Sequence, residues 1–141
     1  MHGGCPPARR GAAPVLAAAL ACAIGLGACA TGRGVYRIGE KEMAAQNYDR
    51  AVLLFSKAVS SDPGSTRYKV ALARAKMKAA QEHFAKGQAY LKANRIEAAI
   101  SEFQQTVYLD PSHQYAANEL SKALTEWQRQ QKADESEMPT E

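Results

Sequence analysis

The side chains able to do chemistry are few and poorly placed for it. The chain holds three histidines, three cysteines and fourteen carboxylates in 141 residues. His83 sits within a run of helix-forming residues, where a histidine is expected to be packed or held at an edge and not to ligate. His113 has no cysteine, histidine or carboxylate at metal-ligand spacing. Glu97 and Glu102 are five apart on one expected helix, so they do not share a face as acid and base. Neither a nucleophile elbow nor a phosphate-cradling glycine loop occurs. No catalytic, cofactor-binding or metal-binding residue is therefore nominated, and the chain is read as a non-enzyme without a cofactor. One charge pattern stands out. Arg67, Lys69, Arg74, Lys76 and Lys78 fall between Thr66 and Gln81 without an acid. Such a run is a solvated helix face or a contact for anionic headgroups or an acidic partner, with Arg67, Arg74 and Lys78 on one side at i, i+7 and i+11. Past residue 28 there are 16 basic and 14 acidic residues, a net charge of only +2, and the run has only Tyr68 for base stacking. Nucleic acid is excluded as the expected partner on those grounds.

The three cysteines are at positions 5, 22 and 29. Met1–Gly11 carries Arg9 and Arg10, and Pro14 to Ala28 is an apolar run too short to span a bilayer comfortably. A basic leader before a short apolar core reads as a secretory signal. It ends at Leu26-Gly27-Ala28-Cys29, which resembles the bacterial lipoprotein box. The resemblance implies lipidation at Cys29, with cleavage before it, and a chain held at a membrane by its acyl groups. Ala30 in place of Asp after that cysteine implies the outer membrane, facing the periplasm. With Cys29 so used, no cysteine is left for an intramolecular disulfide.

Beyond residue 28 lie about 113 residues, enough for one small domain. The whole chain is 46% hydrophobic and 23% charged, with formal charge +4. A dinucleotide-binding domain or a (β/α)8 barrel would not fit.

The elements that position these residues are set by an internal repeat of 48 residues. Gly39 matches Gly87, Ala45 matches Ala93, Ala51 matches Ala99, and Phe55 matches Phe103. Val59 matches Val107, Asp62-Pro63 matches Asp110-Pro111, Leu72 matches Leu120, and Ala75 matches Ala123. Small residues at four of these places allow two antiparallel helices to approach closely, with a phenylalanine beside each contact. Gln46-Asn47 and Asn94-Arg95 end one helix and turn into the next. Pro63 and Pro111 close the second helix of each pair, because proline lacks a donor and restricts the residue before it. Ser65 and Ser112 are expected to cap the helices after them.

The pattern resembles the tetratricopeptide repeat, with Gly39, Ala51-x3-Phe55 and Pro63 in one copy and Gly87, Tyr90, Ala99-x3-Phe103 and Pro111 in the other. Val35 and His83 stand where that family has Trp, and Thr106 stands where the first copy has Ala58. The resemblance covers roughly residues 34–128. It implies an all-α fold of antiparallel helical hairpins in a short solenoid. It also implies a concave partner surface on the first helix of each pair, at Glu40, Met43, Ala44, Gln88 and Lys92. The positions that would form a carboxylate clamp hold Tyr36, Glu40, Ala85 and Gln88, so that clamp is absent.

The spacing of 48 rather than 34 adds residues between Thr66 and Ala79, free of Pro and Gly. Tyr68, Ala71, Leu72, Ala75 and Ala79 recur at helical intervals there. The spacing predicts one shared helix over 66–93, ~40 Å long at 1.5 Å per residue. By repetition, 115–130 forms the last of about five helices, using Leu120, Ala123, Leu124 and Trp127. The expected organisation is a signal over 1–28, a short lipid-anchored linker over 29–33, a helical domain over 34–130, and a disordered acidic tail over 131–141. The expected function is a lipid-anchored protein-binding scaffold in envelope assembly. The stretch from His83 to Leu120 also resembles tetratricopeptide segments of secretin-associated proteins, which implies secretin, type II secretion or pilus partners. Two alternatives stand beside it. One is a structural lipoprotein that self-associates through Leu124 and Trp127. The other is the front end of a larger secretin-family protein.

Overall fold

The computed structural model describes residues 32–137. Everything in that range is helix or tight turn. The helices are α1, described over residues 32–44, α2 (Tyr48–Ser61), α3 (Thr66–Lys92), α4 (Ile96–Leu109) and α5 (Gln114–Glu137). Helices adjacent in sequence pack on one another, α2 on α3, α3 on α4 and α4 on α5. The result is the all-α solenoid of antiparallel hairpins that the repeat predicts, with α3 shared between the two.

The two hairpin turns are built alike. α1 ends with Asn47 N–H donating to the Glu42 carbonyl at 2.9 Å and Gln46 N–H to the Met43 carbonyl at 3.2 Å. In α3, Arg95 N–H donates to the Tyr90 carbonyl at 2.9 Å and Asn94 N–H to the Leu91 carbonyl at 3.0 Å. Both are Schellman closures, which require a left-handed residue after the helix. That residue is Gln46 (φ 63°) in the first and Asn94 (φ 55°) in the second. Asparagine tolerates this conformation better than glutamine. Gln46→Gly is accordingly expected to raise stability by about 0.5–1 kcal/mol, since the left-handed penalty of ~1–2 kcal/mol exceeds the added chain entropy. An unchanged or lowered urea midpoint would contradict this.

The turns between hairpins are also duplicates. Asp62 and Asp110 each close the preceding helix, and each carboxylate accepts a backbone N–H two residues on, from Gly64 at 3.1 Å and Ser112 at 3.0 Å. Their carbonyls accept from Ser65 and His113, at 3.2 and 3.1 Å. The Ser65 hydroxyl caps α3 by accepting from Tyr68 N–H at 3.4 Å. The matching cap on α5 is not Ser112 as expected. Ser112 Oγ donates to Asp110 at 2.6 Å, and His113 Nδ1 accepts from Ala116 N–H at 3.1 Å. His113 is 48 residues from Ser65, so the repeat register itself points to it.

Two clusters stand out in the core, one joining α1, α2 and α3 and one joining α4 and α5. Tyr36, Ala51, Phe55, Ala58 and Ala75 form the first, with Met43, Val52, Tyr68, Ala71 and Leu72 against them. Ile96, Ile100 and Ala123 centre the second, with Leu91, Leu120, Leu124 and Trp127. Gly39 and Gly87 explain why glycine stands in mid-helix. A Cβ on Gly39 would lie 2.7 Å from the Phe55 ring, and one on Gly87 would lie 2.6 Å from the Phe103 ring. Thr106, the departure from Ala58, is fully buried, and its hydroxyl donates to the Glu102 carbonyl at 2.9 Å.

Three expectations about boundaries and faces need correcting. Gly32 and Arg33 are already helical, so α1 begins within the expected linker. α5 does not stop at 130 but runs to Glu137, with residues 131–136 exposed. Its last turns are made of good helix formers such as Gln, Lys, Ala and Glu, and no proline comes before Pro139. Leu124 and Trp127 are not free for a second copy. They cover Ile96 and Ile100, and Trp127 Nε1 donates to Glu97 at 3.0 Å.

Candidate functional site: a basic, apolar groove and a histidine clasp

Residues 1–31 lie outside the described region, so lipidation at Cys29 and the signal over 1–28 fall there. Gly39, Ala51, Phe55, Gly87, Ala99 and Phe103 lie in the interior, and Tyr90 is half-buried. Pro63 and Pro111 are in the two duplicate turns, and both are exposed. The Tyr90 ring carries the Arg95 guanidinium 4.8 Å from its centre.

The nominated partner surface divides. Glu40 and Met43 from α1 and Arg67 and Arg74 from α3 come together in one open groove, with Ala44, Val70 and Ala71. Its volume is about 590 Å3. Gln88, Lys92 and Lys78 are exposed on α3 but do not line it. The groove exists because α1 and the first half of α3 meet over Tyr36. That ring is 8% exposed and stacks on Tyr68 at 5.0 Å. The Arg67 guanidinium caps the same ring at 4.6 Å and reaches Glu40 at 3.6 Å. Arg74 comes two turns later on the same side. Val70 lies between them and is 62% exposed, so the groove floor presents an aliphatic side chain to solvent between the two arginines. The chemistry on offer is an apolar floor beneath two guanidinium groups, only one of them engaged by the Glu40 carboxylate.

The aromatic positions are the least legible part of this arrangement. The resemblance puts the large side chain at Val35 and His83, but Tyr36 and Phe84, one residue later in each copy, take that role. Tyr36 lies 5.3 Å from Phe55, and Phe84 lies 5.7 Å from Phe103. The 48-residue offset pairs Tyr36 with Phe84, and that pairing is the signal that identifies them.

His83 is freed by that shift for a different task. Its Nδ1 meets Glu102 of α4 at 2.6 Å, and its Nε2 meets Asp49 of α2 at 3.0 Å. The side chain is 13% exposed. Ionised carboxylates only accept, so both ring nitrogens donate and the ring is an imidazolium. Burial lowers its pKa, but the hydrogen bonds and charges of Glu102 and Asp49 outweigh that and hold it above the ordinary value of 6.5. The carboxylates lie on opposite sides of the ring, so the three groups cannot chelate one ion. Among the described residues no cluster of His, Cys, Asp and Glu is disposed to hold a metal.

No described helix is long and apolar enough to cross a membrane. Among curated proteins no match is found. The family model that matches is described as the bacterial transcriptional activator domain, and it covers residues 26–136. Domains of this kind are helical and serve protein interaction or DNA-binding activator function. This match corrects the assignment to tetratricopeptide lipoproteins. It also removes the resemblance from which the secretin, pilus and secretion expectations were drawn. The helical hairpins stand as described, and the family they belong to is different: this chain is a member of the bacterial transcriptional activator domain family.

Proposed function

We propose that the domain is a protein-interaction module whose contact surface is the groove between α1 and α3, and that it takes an apolar partner segment bearing acidic residues. The observation that carries this reading is the exposed Val70 floor between Arg67 and Arg74. Family membership is compatible with it, since domains of this description often mediate protein interaction or DNA-binding activator function. A nucleic-acid partner is favoured less. The one aromatic ring of α1 at the groove, Tyr36, is buried beneath Arg67 and offers no face for stacking.

The test uses a fluorescent amphipathic peptide with alternating acidic and leucine-rich faces. Arg67→Glu with Arg74→Glu is expected to weaken its binding at least ~tenfold, a loss of about 1.4 kcal/mol or more. Val70→Glu is expected to do the same by placing a charge on the apolar floor. Folding should change little, because exposed charges contribute about 0–1 kcal/mol. Equal binding by the folded variants and the parent would overturn the proposal.

A further inference from the structure

The charge of this chain is unevenly divided. Residues 32–92, which form α1 to α3, hold twelve Lys and Arg against five Asp and Glu. Residues 93–141 hold four against nine. The groove with Arg67 and Arg74 belongs to the basic part. The acidic part ends in Asp134, Glu135 and Glu137 on the last turns of α5, then Met138-Pro139-Thr140-Glu141. Resting on the reading of the groove as the interaction surface, we propose that its occupant is the acidic C-terminal end of a second copy of this chain, so that copies associate head to tail.

The chemistry of the two ends fits. The groove offers an apolar floor of Met43, Val70 and Ala71 under two arginines. The C-terminal segment offers one methionine, Met138, between Glu137 and Glu141. Earlier acids of α5 already have cations: Glu119 holds Lys122 at 2.8 Å, and Glu126 holds Arg129. Asp134 and Glu135 stand beyond these pairs, on a stretch exposed throughout. Within one copy, α5 packs on α4, with α3 and then α1 further along the solenoid, so the described end of α5 belongs to the opposite end of the domain from the groove. A contact between different patches of two copies is heterologous, so it propagates as a chain of copies or closes into a ring. Because it joins exposed charges, it weakens with salt as the screening length shortens.

Sedimentation of the full chain tests this. At about 50 mM salt the parent is expected to show concentration-dependent association, lost by about 500 mM as the Debye length falls toward ~4 Å. Arg67→Glu with Arg74→Glu places acid in the groove facing an acidic tail, and that variant alone should be monomeric. Asp134→Lys with Glu135→Lys and Glu137→Lys places bases on the tail facing a basic groove, and it too should be monomeric alone. Mixed in equal amounts, the two variants present one matched junction, acidic groove to basic tail, and one native junction, basic groove to acidic tail, so association should return to within ~tenfold of the parent. Circular dichroism of each variant checks folding. A parent that stays monomeric at low salt, or a mixture of folded variants that stays monomeric, overturns the inference. If the acidic peptide still binds the groove while copies remain apart, only the identity of the occupant falls. If neither binds, the reading of the groove falls with it.

Discussion

Phe103→Ala is expected to cost ~3–5 kcal/mol, the range for a buried phenylalanine reduced to alanine. Its ring is fully buried and lies against Phe84 and the bare Cα of Gly87. A domain of this size has about 5–15 kcal/mol in total, so the loss is a large fraction of its stability. The melting temperature should fall by at least ~12 °C, taking ~4 °C per kcal/mol for a domain near 100 residues. Phe55→Ala should behave alike, because Phe55 occupies the same place against Gly39 and is 2% exposed. Gly87→Ala supplies the sharper test, because two effects oppose each other. Helix propensity alone favours alanine by ~1 kcal/mol. The new Cβ would sit 2.6 Å from a ring that cannot move aside in a full core, and overpacking costs ~1–3 kcal/mol. Destabilisation should win. Phe103→Leu, harmful alone, should recover part of the loss in the double variant. A stabilised Gly87→Ala, or a cost under about 1 kcal/mol for Phe103→Ala, would mean that the repeat contact is not tight.

The helical hairpins are legible because their determinants are local and occur twice. Gly39 with Phe55 and Gly87 with Phe103 announce a close helix approach, and Asp-Pro announces each break. The shared helix can be read from an uninterrupted apolar stripe, and α3 stops at Lys92, one residue before the expected end. The illegible features are fixed by pairing across the fold. Nothing local in the sequence says that His83 meets Asp49, 34 positions earlier, or Glu102, 19 positions later. Trp127 shows the converse error. A tryptophan near the end of a chain looks available, yet Glu97 and the Ile96–Ile100 face already occupy it. The end of α5 lies beyond its expected place because acidic composition does not stop a helix: these residues propagate one once it has begun. The family assignment fails for another reason. Small residues and prolines at hairpin spacing specify how helices pack, and unrelated families can share that packing.

His83→Gln is expected to remove a pH dependence that the parent shows. His83 joins α3 to α2 through Asp49 and to α4 through Glu102, so one imidazolium ties both hairpins together. On its own helix it neighbours Lys86, which Glu82 holds at 2.6 Å and which stays charged across the window considered. The bond to Glu102 dominates, because Glu102 is 21% exposed whereas Asp49 is 63% exposed and its pairing is screened by water. The sign comes from linkage. The folded-state pKa is raised above 6.5, so folding retains a proton that the unfolded chain releases first. The stabilisation is complete below pH 6.5 and drains away as pH rises through the raised value. Urea midpoints of the parent should therefore fall as pH rises from below 6.5 through the raised value. The His83→Gln variant should be less stable by about 2–3 kcal/mol at the acidic end, as for hydrogen bonds to charged groups, and should vary less with pH. The curves should converge at high pH, where the parent has also lost its imidazolium and Glu102 is left beside a neutral ring. Parallel curves would show that His83 does not clasp the hairpins by its charge, and a parent that gains stability over this range would reverse the sign of the argument.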